Sequence, residues 1–138
     1  MRQNLQAYKK ISNDAALQEA DCHQVILMLM RGALDRMAQA KGAIERREIA
    51  VKHDRINKAI GILNGLQDGL DFSENPDIAR NFFELYDYMV RRLIDAGAEM
   101  SVTPIDECLG LLAPLADAWA NIPDSVKQDV IQKRQAQV

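Results

Sequence analysis

Cys22, His23, His53 and Cys108 are the side chains of this sequence best suited to hold a metal or attack an electrophile. A di-iron bundle takes histidines from Glu-x-x-His pairs on facing helices, yet the residue three places before each histidine is an alanine, Ala20 and Ala50. So few candidate ligands do not make a zinc site. Cys22 falls near an expected helix N-terminus, where a thiol pKa can drop. No base stands beside it in a recognisable pattern, so it reads as an inert thiol. There is no Gly-rich phosphate loop and no G-x-S-x-G turn. The acidic residues alternate with polar ones and form no convergent pair. The expectation is no enzyme, no metal and no cofactor.

The chemistry that remains is contact. "LYDYMVRRL", from Leu85 to Leu93, sets two tyrosines and two arginines among apolar side chains. At ~100° per residue, Ile78, Phe82, Leu85, Tyr86, Met89, Leu93 and Ala96 gather into a core stripe. A buried Tyr86 hydroxyl would need a partner. Asp87, Tyr88, Arg91 and Asp95 point away. Asp87–Arg91 and Arg91–Asp95 are spaced as i,i+4 pairs, worth only ~0.3–0.5 kcal/mol each. Tyr88 reads as a ring lying over arginine stems. Beside the stripe runs a second apolar line, Phe83, Val90 and Ile94, at i, i+7, i+11. An earlier segment shows the same surplus. Its core stripe is Ile26, Leu29, Ala33, Met37, Ala40 and Ile44, while Leu27, Leu34 and Ala38 fall on another face. A simple bundle needs one stripe per helix. Three uses for the extra lines stay open: cover by the fifth helix and the N-terminal arm, a groove for another protein's helix or extended chain, or a homodimer contact.

The elements that must carry these faces are helices, and no strand pattern competes. Asp21 and Gln24 make a capping-box pattern, which predicts a helix from there to about Arg47. A second follows from about Ile49 to Leu70. "DFSENPD" breaks the chain, and Asn75 caps a third helix with Pro76 at its first position, fading near Gly97. Thr103 and Pro104 repeat the signal for a fourth, to about Trp119, and Pro123 starts a shorter fifth. Short connections make neighbours antiparallel. The expected fold is all-α: one domain over residues 1–138, with an N-terminal arm (1–20), an antiparallel four-helix bundle (21–120) and a C-terminal helix (121–138).

Composition sets the outer limits. With 48% hydrophobic residues in 138, the chain can bury a core. Its 17 basic and 20 acidic residues net −3, without the surplus of cations that sequence-independent nucleic-acid binding requires. Residues 31–58 nevertheless hold eight basic and four acidic side chains, and residues 68–108 three basic and ten acidic. Either two hairpin halves attract each other, or a basic face awaits an acidic partner. Two cysteines are too few for a disulfide framework. The opening residues lack the apolar core of a signal peptide. The longest apolar run, Val25 to Met30, is far too short to span a membrane. The expected location is the cytoplasm.

"AYKKI" at 7–11, "HQVILMLMRGAL" at 23–34, "AIGILNGLQDGLD" at 59–71, "LYDYMVRRL" at 85–93 and "ADAW" at 116–119 stand in the order and spacing of the FliS family of flagellar export chaperones, which the chain resembles over nearly its whole length. The resemblance implies a bundle that binds the disordered C-terminal segment of flagellin. It also implies that binding stops early polymerisation and that the complex docks at the flagellar type III export gate. Tyr8 and Ile11 match the family's N-terminal tyrosine arm, which lies over part of the same surface. With that arm, the surplus lines make the candidate partner contacts Tyr8, Ile11, Leu27, Leu34, Phe83, Val90 and Ile94. The alternative is a helical-bundle adaptor or regulator for another flagellar protein. Departures are Asp21 and Cys22 for the family's Ser-Pro, Arg31 for an acid, and "SENPDIA" where Gly-Gly is usual. Asp caps as well as Ser; Arg31 changes the charge beside the Leu27–Leu34 line.

Overall fold

The computed structural model describes the backbone of residues 15–122 and the side chains of residues 21–122. Four helices fill that span: α1 (Ala15–Glu45), α2 (Ile49–Asp68), α3 (Pro76–Glu99) and α4 (Thr103–Ala120). No strand occurs among the described residues. Each helix packs on its neighbours in sequence, and α4 closes the ring against α1. Lys41–Asp106 and His23–Trp119 join opposite ends of α1 and α4, so that pair is antiparallel. Lys52–Gly97 and Gln67–Phe83 show the same for α2 and α3. The fifth helix, and the arm as far as residue 14, lie outside the described residues.

The helix ends follow local chemistry, with two corrections. Asn75 accepts a 3.3 Å bond from the Ile78 N–H, with Pro76 next, as expected. Asp21, however, does not cap α1. The helix is already formed at Ala15, the first described residue, and takes in residues 15–20 of the expected arm, because "AALQEA" consists of strong helix formers that carry the turn upstream. Nor does Thr103 cap α4. It is already helical, and the Ser101 hydroxyl accepts from the Thr103 N–H at 3.3 Å. At the end of α1, Glu48 N–H bonds Ala43 C=O and Arg47 N–H bonds Ile44 C=O. This closes a Schellman turn with Arg47 left-handed at φ 57°, where glycine is the usual choice. Met100 is likewise left-handed after α3 at φ 50°, with its N–H and that of Ser101 both bonded to the Ala96 carbonyl.

The core is built from Met30, Met37, Leu63, Met89, Leu93, Ile105, Cys108 and Leu112, all fully buried. Tyr86, Met89, Leu93 and Ala96 take the places expected of them, and Phe82 and Leu85 pack at the margin. Ile78 does not: it is 51% exposed, and Ala79 is buried instead. Gln67 meets α3 at Phe83 and α2 ends at Asp68. At 1.5 Å per residue, Ile78 therefore extends past the end of α2. Of the two expected ion pairs on α3, Asp87–Arg91 forms at 3.3 Å. Asp95 instead takes Arg92, three residues away, at 3.1 Å. Burial pushes the Tyr86 hydroxyl up to about 12 and the Cys108 thiol up to about 11. The Cys108 thiol lies 3.6 Å from the Met89 carbonyl. Tyr86 has no hydroxyl partner among the described residues; its ring leans on Phe82, centroids 6.1 Å apart.

Candidate functional site

On α1, His23, Leu27, Leu34 and Lys41 share one flank by helical register. Both ends of that flank are tied to α4. Trp119 Nε1–H donates to the His23 carbonyl and His23 Nε2 faces the Trp119 carbonyl, each at 3.0 Å, with the rings stacked 4.9 Å apart. Lys41 reaches Asp106 at 2.7 Å, and the pairing holds its ammonium above the ordinary value. Between these ties Leu27 is 7% exposed and Leu34 half-buried against the core. This flank faces α4, and along it Leu27 is closed to solvent, Leu34 is half-buried and Ala38 is exposed. Met28, one residue on from Leu27, is exposed.

On α3 the second line is open. Phe83 is 42% and Ile94 55% exposed, with Val90 half-buried between them. The line lies on the flank of α3 nearest α2, since Gln67 Nε2–H donates to the Phe83 carbonyl at 3.0 Å. Phe72, from the loop between α2 and α3, tilts onto Phe83 with centroids 6.4 Å apart and is itself exposed. Gln67 shares its α2 flank with Ile60 and Ile49, at i−7 and i−18. Ile49 is exposed and Ile60 half-buried. The antiparallel register set by Lys52 and Gln67 brings Ile49 to the Ile94 end. The result is an apolar strip along the α2–α3 seam. Sequence reasoning missed Ile49, Ile60 and Phe72. Their spacing from Gln67 and Phe83 carries no signal until the register of the two helices is known. Tyr8 and Ile11 lie outside the described residues.

Lys52 sits under one end of the strip. It is buried, yet its ammonium donates to the Gly97 carbonyl at 2.9 Å and lies 3.2 Å from the Met100 sulfur. It therefore satisfies a C-terminal carbonyl of α3 and meets the negative end of that helix dipole. The opposite flank of α3 is polar. The Tyr88 hydroxyl donates to Glu107, which raises its pKa, and Arg91 lies over the Tyr88 ring at 5.9 Å. Arg92 joins Glu107 at 3.4 Å. Among the described residues no group of three His, Cys, Asp or Glu is placed to hold a metal, and no helix is long and apolar enough to cross a membrane.

The described residues form an all-α bundle of four helices with an apolar strip open along the α2–α3 seam. Residues 4–126 match the family described as flagellar protein FliS, and the chain belongs to that family. It is 40% identical over 119 residues to the flagellar secretion chaperone FliS of Salmonella typhimurium, covering 86% of this chain and 88% of that one. It is 37% identical to the FliS of Vibrio cholerae, covering 89% and 90%. To the flagellar secretion chaperone FliSB of Pseudomonas aeruginosa it is 38% identical, covering 86% and 94%.

Proposed function

We propose that this protein is a flagellar export chaperone without catalytic activity. It acts in the cytoplasm, where it holds the disordered C-terminal segment of flagellin, keeps flagellin from polymerising early and carries it to the export gate. The observation that carries the reading is the apolar strip of Phe72, Phe83, Val90 and Ile94 with Ile49 and Ile60, left open in a chain of this family. An arriving disordered segment must recover its ordering cost from a long, mostly apolar contact, and a strip running the length of a helix seam offers one. In the free protein the same strip is the surface on which two copies would meet, so cargo and self-contact exclude each other.

The test mixes the full chain with flagellin and with flagellin lacking its C-terminal segment, followed by size-exclusion chromatography and calorimetry. A complex should form only with full-length flagellin, with a large negative heat-capacity change. Equal binding of the truncated flagellin would place recognition elsewhere on the cargo and overturn the reading.

A further inference from the structure

Between α1 and α2, an open cleft of about 440 Å³ is lined by Ala38, Gln39, Gly42, Arg46, Val51 and Arg55. Its chemistry is of two kinds. Ala38, Gly42 and Val51 give it apolar walls, and Arg46 and Arg55 bring guanidinium forks. Arg46 pairs through Nε with Glu48, and the rest of its fork has no other acceptor among the described residues. That fork lies 2.9 Å from where a side chain on Gly42 would begin, so it rests against α1 at Gly42, and a methyl group there would push its flexible end aside. Arg55 pairs with Asp54 through one terminal nitrogen, while its Nε is buried without an acceptor. The cleft thus holds more donors than acceptors.

The surroundings agree. Lys41–Asp106 is the only ion pair among the described residues that joins residues 31–58 to residues 68–108. Residues 31–58 keep a net charge of +4. The chain's own remaining segments do not suit such a site. Residues 1–14 hold three basic side chains and one acidic, and residues 123–138 hold three basic and two acidic. In a second copy, four of the ten acidic side chains of residues 68–108, Asp87, Asp95, Asp106 and Glu107, are already paired, so a dedicated acidic segment fits the site better.

We propose that this cleft docks an acidic amphipathic segment of a second protein. An aliphatic side chain of that segment packs over Ala38, Gly42 and Val51, and a neighbouring Asp or Glu carboxylate is bridged by Arg46 and Arg55. Charge-assisted bonds to a guanidinium fork are strong and directional, and the apolar walls select a carboxylate that has an aliphatic neighbour over a free anion. Val51 and Arg55 lie on the α1 side of α2, whereas Ile49, Ile60 and Gln67 lie on its α3 side. The site is therefore separate from the strip assigned to cargo, and the proposal does not depend on that assignment.

The test is fluorescence anisotropy of the full chain with a labelled synthetic helical peptide of Leu and Glu, and with its counterpart carrying Lys for every Glu. The Glu peptide should bind, more weakly as salt rises, and the Lys peptide should not. Arg46→Glu with Arg55→Glu should weaken binding by more than about tenfold, the scale of a lost charge-assisted pair. Arg46→Gln with Arg55→Gln serves if circular dichroism shows the first pair unfolded. Gly42→Ala keeps every charge but displaces the Arg46 fork, and should weaken binding several-fold. Arg31→Glu with Arg80→Glu changes the net charge equally outside the cleft and should leave binding intact. Failure of the Glu peptide to bind would overturn the proposal. An equal loss in the Arg31/Arg80 control, or no loss in Gly42→Ala, would reduce the effect to a diffuse field and overturn it as well. So would loss of flagellin binding in the Arg46/Arg55 variants, or sedimentation showing that those variants abolish self-association, since each names a different occupant.

Discussion

On α1, Leu27 and Leu34 stand seven residues apart between two ties to α4, the His23–Trp119 clasp and the Lys41–Asp106 pair. On α3, Phe83 and Val90 stand seven residues apart beside α2, and the side-chain bond across that seam at this level is Gln67 to the Phe83 carbonyl. The residue types and spacing are alike. Leu27 is shut while Phe83 and Ile94 are left facing water, and Leu34 and Val90 are both half-buried. What separates them is the reach of the neighbour. Trp119, from the far end of the chain, stacks on His23 and ties one end of the α1–α4 flank, whereas α2 presents the slimmer Ile49, Ile60 and Gln67 to α3. An apolar line beside a core stripe thus marks surface that must be covered, and the neighbouring helix determines whether the cover comes from within.

The widest contrast should come from placing a carboxylate in each line. Leu27→Asp loses a buried aliphatic side chain and buries an unpaired charge, so it should cost on the order of 4 kcal/mol or more. Ile94→Asp lies in water and should stay within about 0.5 kcal/mol of the parent protein, while weakening flagellin binding. Urea unfolding measures both. Equal losses of stability would erase the distinction between a closed and an open flank.

A smaller effect is expected at the end of the open seam. Lys52→Ala leaves the Gly97 carbonyl without its donor and should cost about 1–3 kcal/mol. Lys52→Met keeps the stem's packing and should lose less. A neutral Lys52→Ala would mean that the seam is held at this end by apolar contact alone.

The interior shared by both flanks can be probed by alkali. Cys108 and Tyr86 have their pKa values raised by burial, to about 11 and about 12, from ordinary values of 9.0 and 10.0. The unfolded chain therefore releases these protons first. The stability they contribute is complete below the ordinary values and is lost as pH rises through the folded ones. The thermal midpoint should fall between pH 9 and 12, and Cys108→Ala should remove the earlier part of the fall. An unchanged profile in Cys108→Ala would show that the thiol is not sealed between α3 and α4.

The smallest change separates the two left-handed turns. Arg47→Gly relieves a strained backbone and should stabilise by about 0.5–1 kcal/mol. Met100→Gly relieves the same strain but removes the sulfur beside Lys52, so its gain should be smaller or absent. Equal gains by differential scanning calorimetry would show that the Met100–Lys52 contact adds nothing to the open seam.

By itself the sequence determined the local features. Asn75 and Pro76 start α3 because the capping side chain and the fixed proline φ act within one turn. Tyr86, Met89, Leu93 and Ala96 share a face because helical geometry places them there. The same rule made Phe83, Val90 and Ile94 legible as a line. It misled at Ile78, where the face was right but α2 had already ended, and at Asp21, where upstream helix formers outlasted a capping pattern. Only the tertiary structure decided that Leu27 is shut and Ile94 open, that Ile49, Ile60 and Phe72 join the strip, and that Lys52 is buried against the end of α3. Periodicity is a property of a few neighbouring residues, whereas cover is supplied by partners as far away as Trp119 is from His23, 96 residues along the chain.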